Sequence, residues 1–184
     1  MRAEQLRLIA NSADNGKSRG TQLGELPVLS RDPALLVCDP HFVKTASTLP
    51  VAGSDWSIRL AEVLVDERWR VAGVVMSSWW EEPTSWKAAV FADGSETFAV
   101  EHGIACVTNA TGQRSLQENA SLHSQFLRWV NGPPGCQEIE SDEGDYCIAA
   151  WFGSGMGDGQ YKCWWGMRDE RTTTLVVDFE LPLP

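Results

Sequence analysis

The chain predicts a mainly β fold of the α+β class, with antiparallel sheets packed as a sandwich and one principal amphipathic helix near residues 114–131. Three observations carry that expectation. Short apolar runs recur between Gly, Pro and Asp punctuation, as strands separated by turns do. A single segment changes to a period of about 3.6 residues. Near the C-terminal end, glycines at alternate positions from Gly153 to Gly159 divide two strand-like runs.

Residues 1 to about 33 are polar and rich in Gly, Ser and Asn after Leu6-Arg7-Leu8-Ile9, so they are expected to wrap loosely around a single domain spanning 34–184. Ala34 to Val37 reads as a strand stopped by Asp39-Pro40. Trp56, Ile58 and Leu60 alternate within Trp56 to Val65, the pattern of a half-buried strand. Asp66-Glu67-Arg68 then turns the chain into a returning strand, Trp69 to Met76. Ser85 to Phe91 reads as another strand, and Asp93-Gly94 as the turn into one long strand, Thr97 to Val107, making a second hairpin. Leu116, Ala120, His123, Leu127 and Val130 form the apolar helix face. Ser115 with Glu118 gives its capping box, and Gly132-Pro133-Pro134 stops it. His123 on that face reads as a boundary histidine satisfied by its neighbours. Tyr146 to Phe152 is continuously apolar, as suits a strand buried on both faces. Strands at about 160–167 and 172–179 complete the fold.

Composition removes several function classes. A length of 184 residues suits one domain with a real core. No apolar run approaches the roughly 20 residues that span a bilayer. Met1 to Leu6 carries no apolar signal segment, so a cytoplasmic location is expected. The five cysteines are odd in number and form no Cys-x-x-Cys pair, and His41, His102 and His123 are far apart in sequence. Neither pattern has metal-ligand spacing, so no metal and no cofactor is expected. The net charge of −10 argues against nucleic acid and against anionic membrane surfaces, both of which need basic patches. Residues 1–50 are close to neutral, so the excess lies beyond them. Its densest run holds Glu138, Glu140, Asp142, Glu143 and Asp145 with no base among them.

The glycine loop is not a phosphate cradle. A dinucleotide loop opens a helix and a P-loop needs Gly-Lys-Ser/Thr, whereas Tyr161-Lys162-Cys163-Trp164-Trp165 follows here. Gly155, Gly157, Asp158 and Gly159 are therefore expected to be a structural turn, with Asp158 satisfying its own turn backbone. No Gly-x-Ser-x-Gly elbow occurs, and paired carboxylates in so acidic a chain carry no signal without geometry, so no catalytic residues are assigned.

That same stretch resembles the family of domains of unknown function DUF4241. The resemblance rests on Ser-Gly-x-Gly-Asp-Gly-x-Tyr from Ser154 to Tyr161, then Gly166 and a strand closing on Asp178-Phe179. Cys38-Asp39-Pro40 with Phe42, Gly53 to Leu60 followed by Arg70-Val71-Ala72, and Phe98-x-Val100-x-x-Gly103 fall in the order that the family implies. Together these pieces cover roughly residues 35–180. The chain departs from the family where Val100-Glu101-His102-Gly103 replaces Val-Asp-Ala-Gly, and where Thr108 stands in place of an acid. The resemblance implies no chemistry.

What remains is a binding protein. Of the nine tryptophans, Trp56, Trp69, Trp151 and one of Trp164 or Trp165 lie in strand runs and read as core. Trp79-Trp80-Glu81-Glu82 instead occupies a polar, Pro-terminated segment, where aromatics among acids suit an interface. The acidic, catalytically unmarked profile is similar to that of immunity proteins from bacterial toxin systems. The expected partner is thus a basic toxin domain, met by Glu138 to Asp145 together with Trp79 to Glu82. The rival expectation is an enzyme or small-ligand binder with a pocket beside the Gly153–Gly159 loop.

Overall fold

The computed structural model describes residues 1–28, 33–46, 48–51, 54–78, 82–139 and 146–184. In chain order these form α1 (Arg2–Ala10), β1 (Ser18–Val28), β2 (Ala34–Cys38), a 3₁₀ turn (Pro40–Thr45), β3 (Thr48–Pro50), β4 (Ser54–Val65) and β5 (Arg68–Ser77). There follow β6 (Ser85–Ala88), β7 (Thr97–Val100), β8 (Ile104–Asn109), α2 (Ala110–Glu118), α3 (Ala120–Trp129), β9 (Gly135–Ile139), β10 (Tyr146–Gly153), β11 (Gly159–Arg168) and β12 (Arg171–Asp178).

The strands make two antiparallel sheets, as the sequence predicts. The larger has the order β1-β4-β5-β12-β11, with β6 and β7 sharing the outer edge of β11. The smaller has the order β3-β2-β8-β10-β9. Alternation along each strand sorts residues to two faces. Trp56, Ile58, Leu60, Met76, Cys163, Trp165, Leu175 and Val177 point from the larger sheet into a common core with Leu35, Val37, Val107, Ala150 and Phe152 from the smaller. The opposite faces are covered too. Ala61, Val75 and Val176 pack under Ala3, Leu6 and Ala10 of α1. Cys106, Ala149 and Trp151 pack under Leu116 of α2 and Phe126 of α3. This explains the continuous apolar run of β10, whose two faces both meet protein.

Four expectations change. Residues 1–33 supply α1 and the eleven-residue β1, so the segment is built into the sandwich through at least Val28. Ala3, Leu6 and Ala10 are fully buried, and Leu6 alone is worth roughly 1.5–3 kcal/mol of burial. The single helix near 114–131 is two. Asn109 caps α2 by accepting from the Gly112 amide, and Asn119 caps α3 by accepting from Leu122, so Ser115 and Glu118 form no capping box. The long strand Thr97 to Val107 breaks at Glu101-His102-Gly103, where the chain leaves the larger sheet for the smaller. The second hairpin is not formed either, because β6 and β7 both pair with β11 rather than with each other.

The tryptophans divide as the strands do. Trp56, Trp151 and Trp165 are buried, Trp164 lies partly buried beneath α1, and Trp69 is half-buried with the Arg19 guanidinium 4.3 Å above its ring. Among the described residues no helix is long and apolar enough to cross a membrane.

Candidate functional site

The break at residues 101–103 has a local cause with chemical consequences. Asp39 follows β2, and Pro40 opens the 3₁₀ turn with its φ already set. The fully buried Asp39 carboxylate caps that turn, one oxygen accepting from the His41 amide at 2.9 Å. Its other oxygen accepts from the amides of Glu101 at 2.9 Å and His102 at 3.0 Å, and lies 2.9 Å from Nδ1 of the His102 ring. A continuous β7–β8 strand would commit those two amides to a neighbour. Asp39 takes them instead, and Gly103 turns the chain at φ 66°.

Burial pushes the Asp39 carboxyl up. The amides of Glu101 and His41 and the His102 imidazole outweigh it, so the net displacement is below the ordinary carboxylate range. An ionised carboxylate only accepts, so Nδ1 of His102 donates, and the neutral tautomer with that proton carries its lone pair on Nε2. The His41 and His102 rings lie 4.0 Å apart at a tilt of 31°, and both residues are exposed. Among the described residues Asp39, His41 and His102 are the group of potential ligands that converge, their donor atoms lying within 4.8 Å of one another. Sequence separation argued against any such set, and the fold removes that separation. The available signal was the pairing of Asp-Pro-His after one strand with His-Gly inside another.

Next to Asp39 a cleft of about 470 Å³ is lined by Val37, Phe42, Phe91 and Phe98 and by the acids Asp93 and Glu101. Behind Asp39, the Sγ atoms of Cys38 and Cys106 lie 3.5 Å apart across paired strands. Hydrogen bonding to Cys38, then burial, push the Cys106 thiol well above its usual value.

The glycine loop joins β10 of the smaller sheet to β11 of the larger. Gly155 and Gly157 adopt φ of 65° and 126°, whereas Gly159 begins β11 without positive φ. The Ser154 hydroxyl donates to the Gly157 carbonyl at 2.7 Å, and the Tyr161 hydroxyl reaches the same carbonyl at 2.7 Å. Those two side chains hold the loop, while Asp158 is exposed. Beside the loop a second cleft of about 470 Å³ is lined in part by Trp69, Arg70, Val130, Trp151, Gly153 and Gly157. Asp178 is committed elsewhere, to the Arg2 guanidinium at 2.6 Å. On α3, Nε2 of His123 is buried and has no hydrogen-bond partner among the described residues. Burial, then Lys44 and His41, push its ring below the usual histidine value.

Of the residues expected to meet a partner, Trp79, Trp80, Glu81, Glu140, Asp142, Glu143 and Asp145 lie outside the described residues. Glu138 belongs to β9. Glu82 is mostly exposed and lies 3.2 Å from Arg7 of α1. The strand ends flanking the two segments can be compared. β5 ends at Ser77, paired with Ser57, which in turn pairs with Glu25. The β9–β10 hairpin closes at Ile139 and Tyr146, beyond Ala149 and its partner Thr108. Asn109, next along β8, donates to the carbonyl of Pro27 on β1. Both flanks therefore belong to one end of the sandwich. The exposed β11–β12 turn, Asp169-Glu170, lies at that end, flanked by Arg168 and Arg171. Asp39, His41 and His102 lie at the other. No protein-family model, curated protein or solved structure matches the chain.

Proposed function

We propose that this chain is a non-enzymatic binding protein of the immunity kind, neutralising a basic toxin nuclease by direct contact. Membership of the DUF4241 family, implied by the C-terminal motif, belongs to the same proposal. The observation that supports it best is topological. The chain between Ser78 and Glu82 and the chain between Ile139 and Tyr146 join strands at the same end of the sandwich. The densest acidic run and the Trp-Trp-Glu-Glu segment can thus serve one contact surface. Carboxylates there attract a basic cleft over about a Debye length, roughly 8 Å at physiological ionic strength, and so govern association. Trp79 or Trp80, where the partner covers it, would govern dissociation, its truncation costing about 2 kcal/mol or more.

The test begins with purification from the native cell and identification of the protein that accompanies the chain. Association kinetics with that protein then decide. Converting Glu140, Asp142, Glu143 and Asp145 to Ser should slow association at low salt and flatten its salt dependence. Unchanged association, or a partner without a basic surface, sinks the proposal.

One observation favours a second reading, a small-ligand site beside the glycine loop. Nε of Arg70 is buried there without a hydrogen-bond partner among the described residues, and its Nη1 is 3.4 Å from the Gly155 carbonyl. A guanidinium with a spare donor suits an anionic ligand. Saturable binding of small carboxylates or phosphates, abolished by Arg70→Met, would support this reading.

A further inference from the structure

We infer that His41 and His102 form a binding site for a borderline divalent metal ion, Zn²⁺ or its analogues Co²⁺ and Ni²⁺, with Asp39 as the buried group that orients His102. The donor chemistry selects this class, because paired imidazoles suit zinc and the later first-row metals rather than calcium or magnesium.

The geometry divides the roles. A carboxylate offers about four acceptor positions, and Asp39 meets four donors: the amides of His41, Glu101 and His102 and the ring Nδ1 of His102. Three of these donors share one oxygen and the His41 amide takes the other, inside a fully buried side chain, so the carboxylate is engaged chiefly in holding the backbone and the His102 ring. Its role is that of the outer carboxylate in a carboxylate–histidine–metal arrangement, fixing the tautomer and the orientation of the ring. That leaves Nε2 of His102 as a ligand, on the ring edge away from Asp39, in a side chain that is 44% exposed. His41 is placed by the same carboxylate through its backbone amide. A tetrahedral ion at about 2.0–2.1 Å from each nitrogen needs those nitrogens roughly 3.3 Å apart. The ring centroids are 4.0 Å apart and the donor atoms of the group lie within 4.8 Å of one another, so side-chain rotation has to bring the two nitrogens to that separation. The remaining coordination positions stay open to water or to an anionic ligand.

The site is independent of the proposed partner surface, since it lies at the opposite end of β8. The third histidine supplies a control, because His123 is on α3 and outside the converging group. Buried cysteines supply the competing ligands to be excluded.

The experiment titrates the metal-free full chain with Zn²⁺ by calorimetry and with Co²⁺ by visible absorption. The expected result is one ion per chain and a Co²⁺ spectrum without a thiolate charge-transfer band. His41→Gln and His102→Gln should each weaken binding at least tenfold. Replacing the exposed His41 should leave the melting temperature of the metal-free protein unchanged, whereas His102→Gln also loses the imidazole bond to Asp39 and should lower it. Asp39→Asn should weaken it about 10–100-fold. His123→Gln should leave it intact. Absence of stoichiometric binding, retention of binding in both His41→Gln and His102→Gln, loss in His123→Gln, or a thiolate band would each overturn the inference.

Discussion

Replacing Asp39 with Ala should be among the most damaging single changes outside the apolar core. The carboxylate is fully buried and accepts from three backbone amides and one imidazole at 2.9–3.0 Å. Hydrogen bonds to a charged group are worth about 1.5–3 kcal/mol each, which bounds the loss at roughly 6–12 kcal/mol. Two effects reduce it. His41, Glu101 and His102 are exposed, so their freed amides reach water once the chain relaxes. Desolvating the carboxylate also costs several kcal/mol, and the variant is spared that. A net loss of about 3 kcal/mol remains, or roughly 6–12 °C in melting temperature for a domain of this size. The pH dependence gives a second signature. The folded-state value of Asp39 lies below the ordinary range, so the unfolded chain holds the proton more tightly than the folded one. Its stabilisation is therefore present above the unfolded value, about 3.9, and is lost as pH falls through the lower folded value. Urea denaturation of both proteins from pH 8 downward measures the difference. It should hold constant to about pH 5 and narrow below about pH 4. A loss under about 1 kcal/mol, or a difference that does not narrow in acid, would refute the reasoning.

Two further outcomes follow from the packing. Gly155→Val forces a β-branched residue to φ 65° with its Cβ 2.9 Å from that of Phe179, whereas Gly157→Val meets strain at φ 126° but open space. Each should destabilise the protein by about 1–3 kcal/mol, Gly155→Val by more, and urea midpoints check the order. Mild alkylation of the native protein should label Cys136 first, because it is the half-buried cysteine while Cys38, Cys106, Cys147 and Cys163 are buried. Burial, above all, pushes the Cys163 thiol far up, so mass spectrometry should find it modified only after unfolding.

What the sequence revealed was what neighbours in sequence decide. Trp56, Ile58 and Leu60 announce their strand because alternation is local, and Asp66-Glu67 turns the chain with φ of 48° and 60° as a tight hairpin turn requires. The break at Glu101-His102-Gly103 was hidden because its cause, Asp39, is 62 residues away. The division of the helix turned on Asn109 and Asn119, which outcompeted the Ser115–Glu118 pair as caps. α1 escaped notice because its buried face uses Ala3 and Ala10 around a single Leu6, small side chains that let a helix lie close to the sheet. β1 was masked by polar residues and by Gly20, where a Cβ would meet the Ala10 carbonyl oxygen at 2.0 Å. The histidine pair was illegible for the reason that hid the break: one residue, Asp39, creates both.

That shared origin ties fold and site together at one end of the sandwich, and it separates them from the other end. β8 is six residues long, which at about 3.3 Å per residue puts roughly 20 Å between the histidine pair and the strand ends that flank the acidic segment. Changes so far apart, with no shared partner, combine nearly additively. The histidine variants should therefore leave partner association untouched, and the acidic variants should leave Zn²⁺ affinity untouched. Coupling between the two would mean that the sheets transmit a rearrangement along β8. The chain has a candidate for such an element in Asp39, whose carboxylate fastens the β7–β8 crossover to the turn after β2. If partner binding and metal binding prove coupled, Asp39→Asn should abolish the coupling while His102→Gln, which keeps both backbone contacts, should not.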